Sequence, residues 1–548
     1  MKFCHVLTAL LLISLGPAHA DDRELILALF TPVVVTGGTV TIPPGDYHLD
    51  GIEPIPIPSH TTVFAHGARF LLPETLGDKA RIILFAGENV AHFTWHGGEF
   101  VGHVFDPAQS ENTWEPSVNT KAIEITTTKE GGTHDLLFRD VKSNGVAGAV
   151  IGVHGLAGKK SDDPVEAYAE RVVLDSCTLL RSGKLMWDYG YLWQIVTWPE
   201  EYEAWEVARA KRYFRSDLLR SVSMKKGDDR VFLDNRAKPI PVTQLDDPKE
   251  TLTFFGATLP SNIARGRQYF IVDAADDFIK VSDKPHGEPI RFASDGGDDA
   301  ALAYYLSATY LGYAPFGSGP GKGAFDIVGV RNVRVTGCQV SALGDTMHIQ
   351  RCENVIFANN HILGSRMGAF FLAEHCRNAT ITGNLVDGTN GSRVMSVERS
   401  CTDVTITGNT FRNGGRGAWI NQPVNFTMTG NVFVNNTTKN EPDVRRGRIA
   451  YQTGKPVQFP ELYFTVYDEN ARYGPVIVRN NIFQVGDSAP TDAVTFAPGG
   501  HDIQMTGNSF QGKPVTIVAD PTLKDSRIEA NDGAITETRP VKPDHGRR

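Results

Sequence analysis

Between Phe325 and Phe433 short apolar, β-branched runs alternate with Gly/Asn turns in five successive passages. They read FDIVGVRNVRVTGCQV, MHIQRCENVIFANNHI, FFLAEHCRNATITGNLV, MSVERSCTDVTITGNTF and AWINQPVNFTMTGNVF. Asparagines recur at one place in this pattern: Asn360, Asn384, Asn409 and Asn431 are 24, 25 and 22 residues apart, and Asn481 and Asn508 follow after 50 and 27. A period in the twenties is too short for helical-pair repeats, and the leucine consensus of a leucine-rich horseshoe is missing. The pattern predicts an all-β parallel solenoid, with one masked or irregular coil in the gap before Asn481.

In such a solenoid coils stack about 4.8 Å apart and side chains alternate inward and outward, so like positions form columns. Placing Ile349, Ala373, Val397 and Ile420 inward predicts one outward column of Gln350, Glu374, Glu398 and Asn421. A second contains Asp326, His348, Leu372, Ser396 and Trp419. The alignment requires a one-residue slip between the third and fourth coils.

The remaining pattern extends the solenoid in both directions. After residue 20, ELILALF predicts a short capping helix, and GGTVTIPPGDYHLDG then reads as strand, Pro-Pro-Gly turn and strand. The GGTVTIPPGDYHL stretch, together with the GNxF coils, resembles the right-handed parallel β-helix proteins of the pectate-lyase-like superfamily. That group includes polysaccharide lyases, polygalacturonase-type hydrolases and β-helical galactosidases. The resemblance implies a right-handed parallel β-helix over about two-thirds of the chain and a saccharide substrate. The chain carries neither the clustered aspartates of a pectate-lyase calcium site nor the NTD, DD, GHG and RIK set of polygalacturonases, so no catalytic residue carries over.

Coils occupy residues 21–198, and an insertion at 199–322 interrupts them. Residues 199–222 have helical composition, and short β runs across 231–306 predict a small β-barrel or sandwich. Coils return at 323–535, and the Pro-rich basic tail at 536–548 is expected to be disordered. The loop GSGPGKGAF lacks the Ser/Thr and following helix of a nucleotide-binding loop, and suits close backbone passage at the insert junction.

Candidate chemistry gathers on the C-terminal coils. Glu374 and Glu398, predicted on neighbouring coils of one column, would repel each other and hold one proton to higher pH, the asymmetry of an acid/base pair; Asp345 enters one coil earlier. An ion pair of Glu374 with Arg399 or His375 is the bland alternative. Arg366, Arg393 and Arg416 on consecutive turns suit bidentate capture of a carboxylate or sulfate. His348, Gln350, Trp419 and Asn421 share the face. Upstream, Trp187 and Tyr189, with Tyr191 and Trp193, form either a sugar platform or a packing seam.

Two reactions fit. A glycoside hydrolase would use Asp345, Glu374 and Glu398 as acid and base or nucleophile, with Trp419 stacked on a sugar. A lyase would use His348 or an arginine to abstract the proton beside a uronate carboxylate, neutralised by arginine or calcium. Hydrolysis of an acidic poly- or oligosaccharide, without a cofactor, is the expectation. A non-catalytic adhesin would instead show repetitive Thr, Asn and Ser columns.

Charge and targeting narrow the picture further. The formal net charge of −9 argues against a general nucleic-acid binder. Residues 1–20 carry a lysine, an apolar run far below the roughly 20 residues of a membrane span and an Ala18-His19-Ala20 ending, which predicts an export signal and a secreted or periplasmic monomer. Cys352, Cys376 and Cys401 share one repeat position, as a stack of core thiols or a disulfide. No Cys/His spacing suggests zinc.

Overall fold

The computed structural model describes residues 22–49, 53–72, 81–102, 119–146, 148–158, 162–183, 219–233, 251–256, 258–265, 267–284, 286–305, 322–342, 345–365, 368–388, 393–415, 417–437, 459–467, 470–487 and 489–541. Outside them lie residues 1–20, expected to be an export signal, Trp187, Tyr189, Tyr191, Trp193, Arg366, Arg416, residues 199–218 of the expected helix and the last seven residues.

Three long parallel sheets of 13, 12 and 13 strands run the length of the described molecule. The first spans Gly38–Thr41 to Arg527–Glu529, the second Gly45–His48 to Ser509–Gln511, the third Ile55–Pro56 to Ala534–Thr538. Successive coils contribute one strand to each sheet, with one fewer in the second, which makes the fold a parallel β-helix. The inward columns of the strands are largely apolar: in the first sheet Val333, Val355, Ala379, Val404, Phe426, Val476 and Ile503 lie in register and are buried. The helix Arg23–Phe30 closes the N-terminal end by burying Ile26 and Phe30, whose ring sits 5.9 Å from Phe85.

The GNxF signature has a physical explanation at the corner between the first and second sheets. Gly383, Gly408 and Gly430 adopt positive φ, which a side chain would strain, and the turn directs the next residue inward. Asn360, Asn384, Asn409, Asn431, Asn481 and Asn508 form a buried ladder there. Each Oδ1 from Asn384 onward accepts the backbone N–H and the Nδ2–H of the asparagine before it, at 2.8–3.1 Å. The phenylalanine two residues on stacks likewise, Phe411 on Phe433, Phe483 and Phe510, at 5.0, 4.8 and 4.7 Å.

Several expectations need correction. Asn431 bonds directly to Asn481, so the two lie on neighbouring coils and no coil intervenes in the 50-residue gap. The insertion contains a closed six-stranded barrel, but its first strand is Leu219–Met224, overlapping the segment expected to be helical, and its last is Ala301–Tyr305; residues 289–295, within the expected β runs, form no strand. Barrel pairing across non-local neighbours overrides the local helical composition. Ala534–Thr538 pairs with Val515–Ala519, so order persists beyond residue 536. Cys352, Cys376 and Cys401 are free, buried and stacked, with the Cys352 N–H 3.4 Å from Cys376 Sγ. At the insert junction a Cβ on Gly323 would lie 2.5 Å from that of Ala342, the close approach expected of the glycine-rich segment.

Candidate active site

The site lies on the outer face of the third sheet. Strands Asn119–Thr126, Ile151–His154, Lys322–Val328, Asp345–Gln350, Gly368–Ala373, Arg393–Glu398, Ala418–Asn421 and Leu462–Thr465 are consecutive there. The inward column is Ile125, Val153, Ile327, Ile349, Leu372, Val397, Ile420 and Phe464, every member fully buried. Alternation then turns Glu124, Gly152, Asp326, His348, Phe371, Ser396 and Trp419 outward in one row.

This register corrects the predicted columns. Leu372, not Ala373, is the inward partner of Ile349 and Val397, and Glu398 stands opposite Ala373. The slip falls between the second and third coils, where the Arg351 N–H is shared between the carbonyls of Ala373 and Glu374. Glu374 therefore sits in a positive-φ turn and stacks on Arg399 rather than on Glu398. Its carboxylate pairs with Arg351 at 3.1 Å and Arg399 at 3.7 Å. Glu398 faces Arg393 at 3.4 Å and accepts the Tyr467 hydroxyl at 3.0 Å. Among the described residues Glu374 has two cationic partners and Glu398 one, so each of the two expected acid/base carboxylates sits in ion pairs of its own.

The chemistry shifts to the preceding coils. Lys121, Glu124, Asp326, Asp345 and His348 are each 3–5 % exposed. Burying an ionised group costs several kcal/mol unless it is paired, and here the pairs form a chain. Lys121 Nζ meets Glu124; His154 spans Glu124 and Asp326, with Nδ1 3.6 Å from the former and Nε2 3.1 Å from the latter. Gly152, between the two acids in the row, has no side chain to fill the space this ring crosses.

One coil on, His348 Nε2 lies 3.1 Å from Asp345 Oδ2. In the tautomer that donates from Nε2 to Asp345, Nδ1 is the ring's acceptor. That Nδ1 is buried and has no hydrogen-bond partner among the described residues. The Phe371 ring stacks on the imidazole at 4.6 Å and 23°. Asp345 depends on Gly368, where a Cβ would come within 2.6 Å of Oδ1.

The next two coils form a cationic, aromatic half. Arg393 donates to Ser396 Oγ at 3.0 Å and lies 4.8 Å from the centre of the Trp419 ring. Tyr467 packs edge-on to that ring at 5.5 Å, and burial, followed by the nearby Glu398 charge, pushes its phenol well above the ordinary range. Trp419 is itself 5 % exposed with Arg393 over its face, so it holds the guanidinium instead of offering an open sugar platform. Asn421 is fully buried, and its Oδ1 accepts the Arg399 N–H at 3.4 Å, which secures the turn. Gln350 stands in the row of Val328 and Ala373, half-buried at the strand end.

Of the expected residues, the fold joins Asp345 to His348 and Arg393 to Glu398 and Trp419. Lys121, Glu124 and His154 were missed, and Asp326 was seen only as a column member. AIEITT did carry a signal, since Glu124 between Ile123 and Ile125 is a charge on the outward parity of a core strand. What hid it was the insertion, which separates His154 from Asp326 in sequence while the fold makes their strands neighbours.

The three parallel sheets define a parallel β-helix. Residues 318–457 match the family model described as "Right handed beta helix region". No curated protein matches the chain in sequence. Among solved structures, similarity extends to the mannuronan C-5 epimerase AlgE4 A-module of Azotobacter vinelandii, with 8 % identity, 96 % of this chain and 98 % of that one covered, and a TM-score of 0.44. The surface adhesin PfbA of Streptococcus pneumoniae shows 11 % identity, 96 % and 93 % coverage and a TM-score of 0.42. An endo-xylogalacturonan hydrolase of Aspergillus tubingensis shows 10 %, 96 % and 94 %, and 0.30. These likenesses concern the fold and leave the reaction to the residues. Among the described residues no helix is long and apolar enough to cross a membrane.

Proposed function

We propose that the outer face of the third sheet is the active site of a carbohydrate-active enzyme that hydrolyses a glycosidic bond in an acidic poly- or oligosaccharide. The observation that carries this reading is the buried His348–Asp345 pair beside Asp326 on the neighbouring coil. A set of buried, unlike ionisable groups has little value to a solenoid that could fill these places with threonine, and such clusters mark sites of proton transfer. In the reaction His348 Nδ1 accepts a proton from water and the resulting hydroxide bonds the anomeric carbon as the glycosidic bond breaks; the proton shared between His154 Nε2 and Asp326 passes through Asp326 to the departing oxygen, and the proton on His348 later replaces it. Arg393, two coil steps or about 10 Å from His348, holds the carboxylate or sulfate of a neighbouring sugar.

The open valence of His348 Nδ1 also favours a second reading, elimination. There the same atom removes the proton beside a uronate carboxylate and the glycosidic oxygen leaves, forming a carbon–carbon double bond. Incubation with acidic and neutral polysaccharides, following reducing ends alongside ultraviolet absorbance of an unsaturated uronate, separates the two. Reducing ends alone support hydrolysis. Both signals together convert the reading to elimination, and binding without either signal leaves a carbohydrate-binding protein.

A further inference from the structure

On the first sheet, away from this site, one outward row takes positive φ on nine successive coils: His60, His92, Asp135, Arg171, Asn332, Asn354, Asn378, Asp403 and Asn425. That conformation favours Asn and Asp, and in the C-terminal part they form a ladder, Asn354 to Asn332 at 3.1 Å and Asn378 to Asn354 at 2.8 Å. At the N-terminal end the row changes character. His60 and His92 replace the amides, with ring centres 5.0 Å apart, and His134 adds a third ring 4.7 Å from that of His92.

The nitrogens converge on one oxygen. His92 Nδ1 and His134 Nδ1 lie 3.4 and 2.8 Å from Asp135 Oδ2, and the three ligand atoms all fall within 4.8 Å of one another. Around an ion with bonds of about 2.0–2.1 Å, tetrahedral ligand atoms stand about 3.4 Å apart; the His92 contact already matches this, and binding would draw His134 and Asp135 apart from 2.8 Å by rotation of their partly exposed side chains. Arg171 grips Asp135, Nε to Oδ1 at 2.6 Å and Nη2 to Oδ2 at 3.1 Å. The first bond orients the carboxylate as an outer partner of a ligand would, whereas the second competes for Oδ2.

We propose that His92, His134 and Asp135 form a binding site for a borderline divalent transition ion of the zinc class, with water in the fourth position. Two imidazoles and one carboxylate suit such an ion better than calcium or magnesium, which prefer all-oxygen shells. The site is independent of the reading of the third sheet, since it faces from a different sheet and shares no residue with it.

Titration calorimetry of the untagged protein with Zn2+ at about pH 7.5 tests this. One ion should bind per chain, and His92→Ala and His134→Ala should each weaken it at least ~10-fold. Arg171→Ala should tighten it several-fold by removing a competing cation. The variants' thermal unfolding without zinc should match the parent, because these side chains are partly exposed. Absence of saturable binding, or binding that survives both histidine substitutions, overturns the proposal.

Discussion

Two buried polar regions differ in how their hydrogen bonds are completed. At the corner of the helix the same residue, asparagine, recurs coil after coil, and each amide is spent on its neighbours. Asn409, for example, donates from Nδ2 to the carbonyls of Ile381 and Thr407 and to Asn431, and accepts twice from Asn384. On the outer face of the third sheet the residue type changes at every coil, and His348 Nδ1 has no hydrogen-bond partner among the described residues. Repetition with full satisfaction is the mark of a structural column, whereas variation among ionisable groups is what a functional site shows.

The contrast can be broken from either side. Asp345→Asn keeps the shape but removes the charge that fixes the His348 proton, and turnover should fall by about 10³-fold with thermal unfolding little changed. Loss of stability in parallel with activity would place Asp345 among the structural residues instead. Asn409→Ala should do the reverse. It strands the Asn384 amide groups and the Ile381 carbonyl in the interior, at a cost of about 3 kcal/mol, read as a lower denaturant midpoint with turnover per folded molecule unchanged.

A third buried polar group sharpens the comparison through pH. Glu461 is fully buried, accepts from the Asn436 N–H and the Thr437 hydroxyl, and is pushed by burial from 4.5 up to about 7. Because the folded value lies above the unfolded one, its contribution is present below about pH 4.5 and lost as pH rises to about 7. Glu461→Gln should remove that dependence and raise stability at pH 8 by about 2–3 kcal/mol, measured by unfolding across the pH range. An unchanged pH profile would show that the carboxyl is already ionised when folded.

The smallest effects are expected from the two glutamates. Glu374→Gln removes the partner of Arg351 and Arg399 in a turn and should leave turnover within about 2-fold, as for a partly exposed ion pair. Glu398→Gln frees Arg393 and Tyr467, and should change KM for an acidic substrate several-fold with kcat nearly constant. A large loss of kcat from Glu374→Gln would restore the carboxylate-pair mechanism and displace His348.

The repeat period, the Gly-Asn turns and the apolar alternation were enough to specify a solenoid, because each coil's hydrogen bonding and core facing are local properties copied from the one before. The same local logic marked the capping helix and the short strands of the barrel, and it brought Asp345 and His348, three residues apart, to one face. Tertiary structure alone decided the register. A single extra residue near Glu374 moves a carboxylate out of one column, and nothing in the local pattern says which turn absorbs it. It also decided which distant residues meet. His154 reaches Asp326 across the whole insertion, and His92 reaches His134 across a full coil, because stacking converts separations of tens or hundreds of residues into one strand spacing.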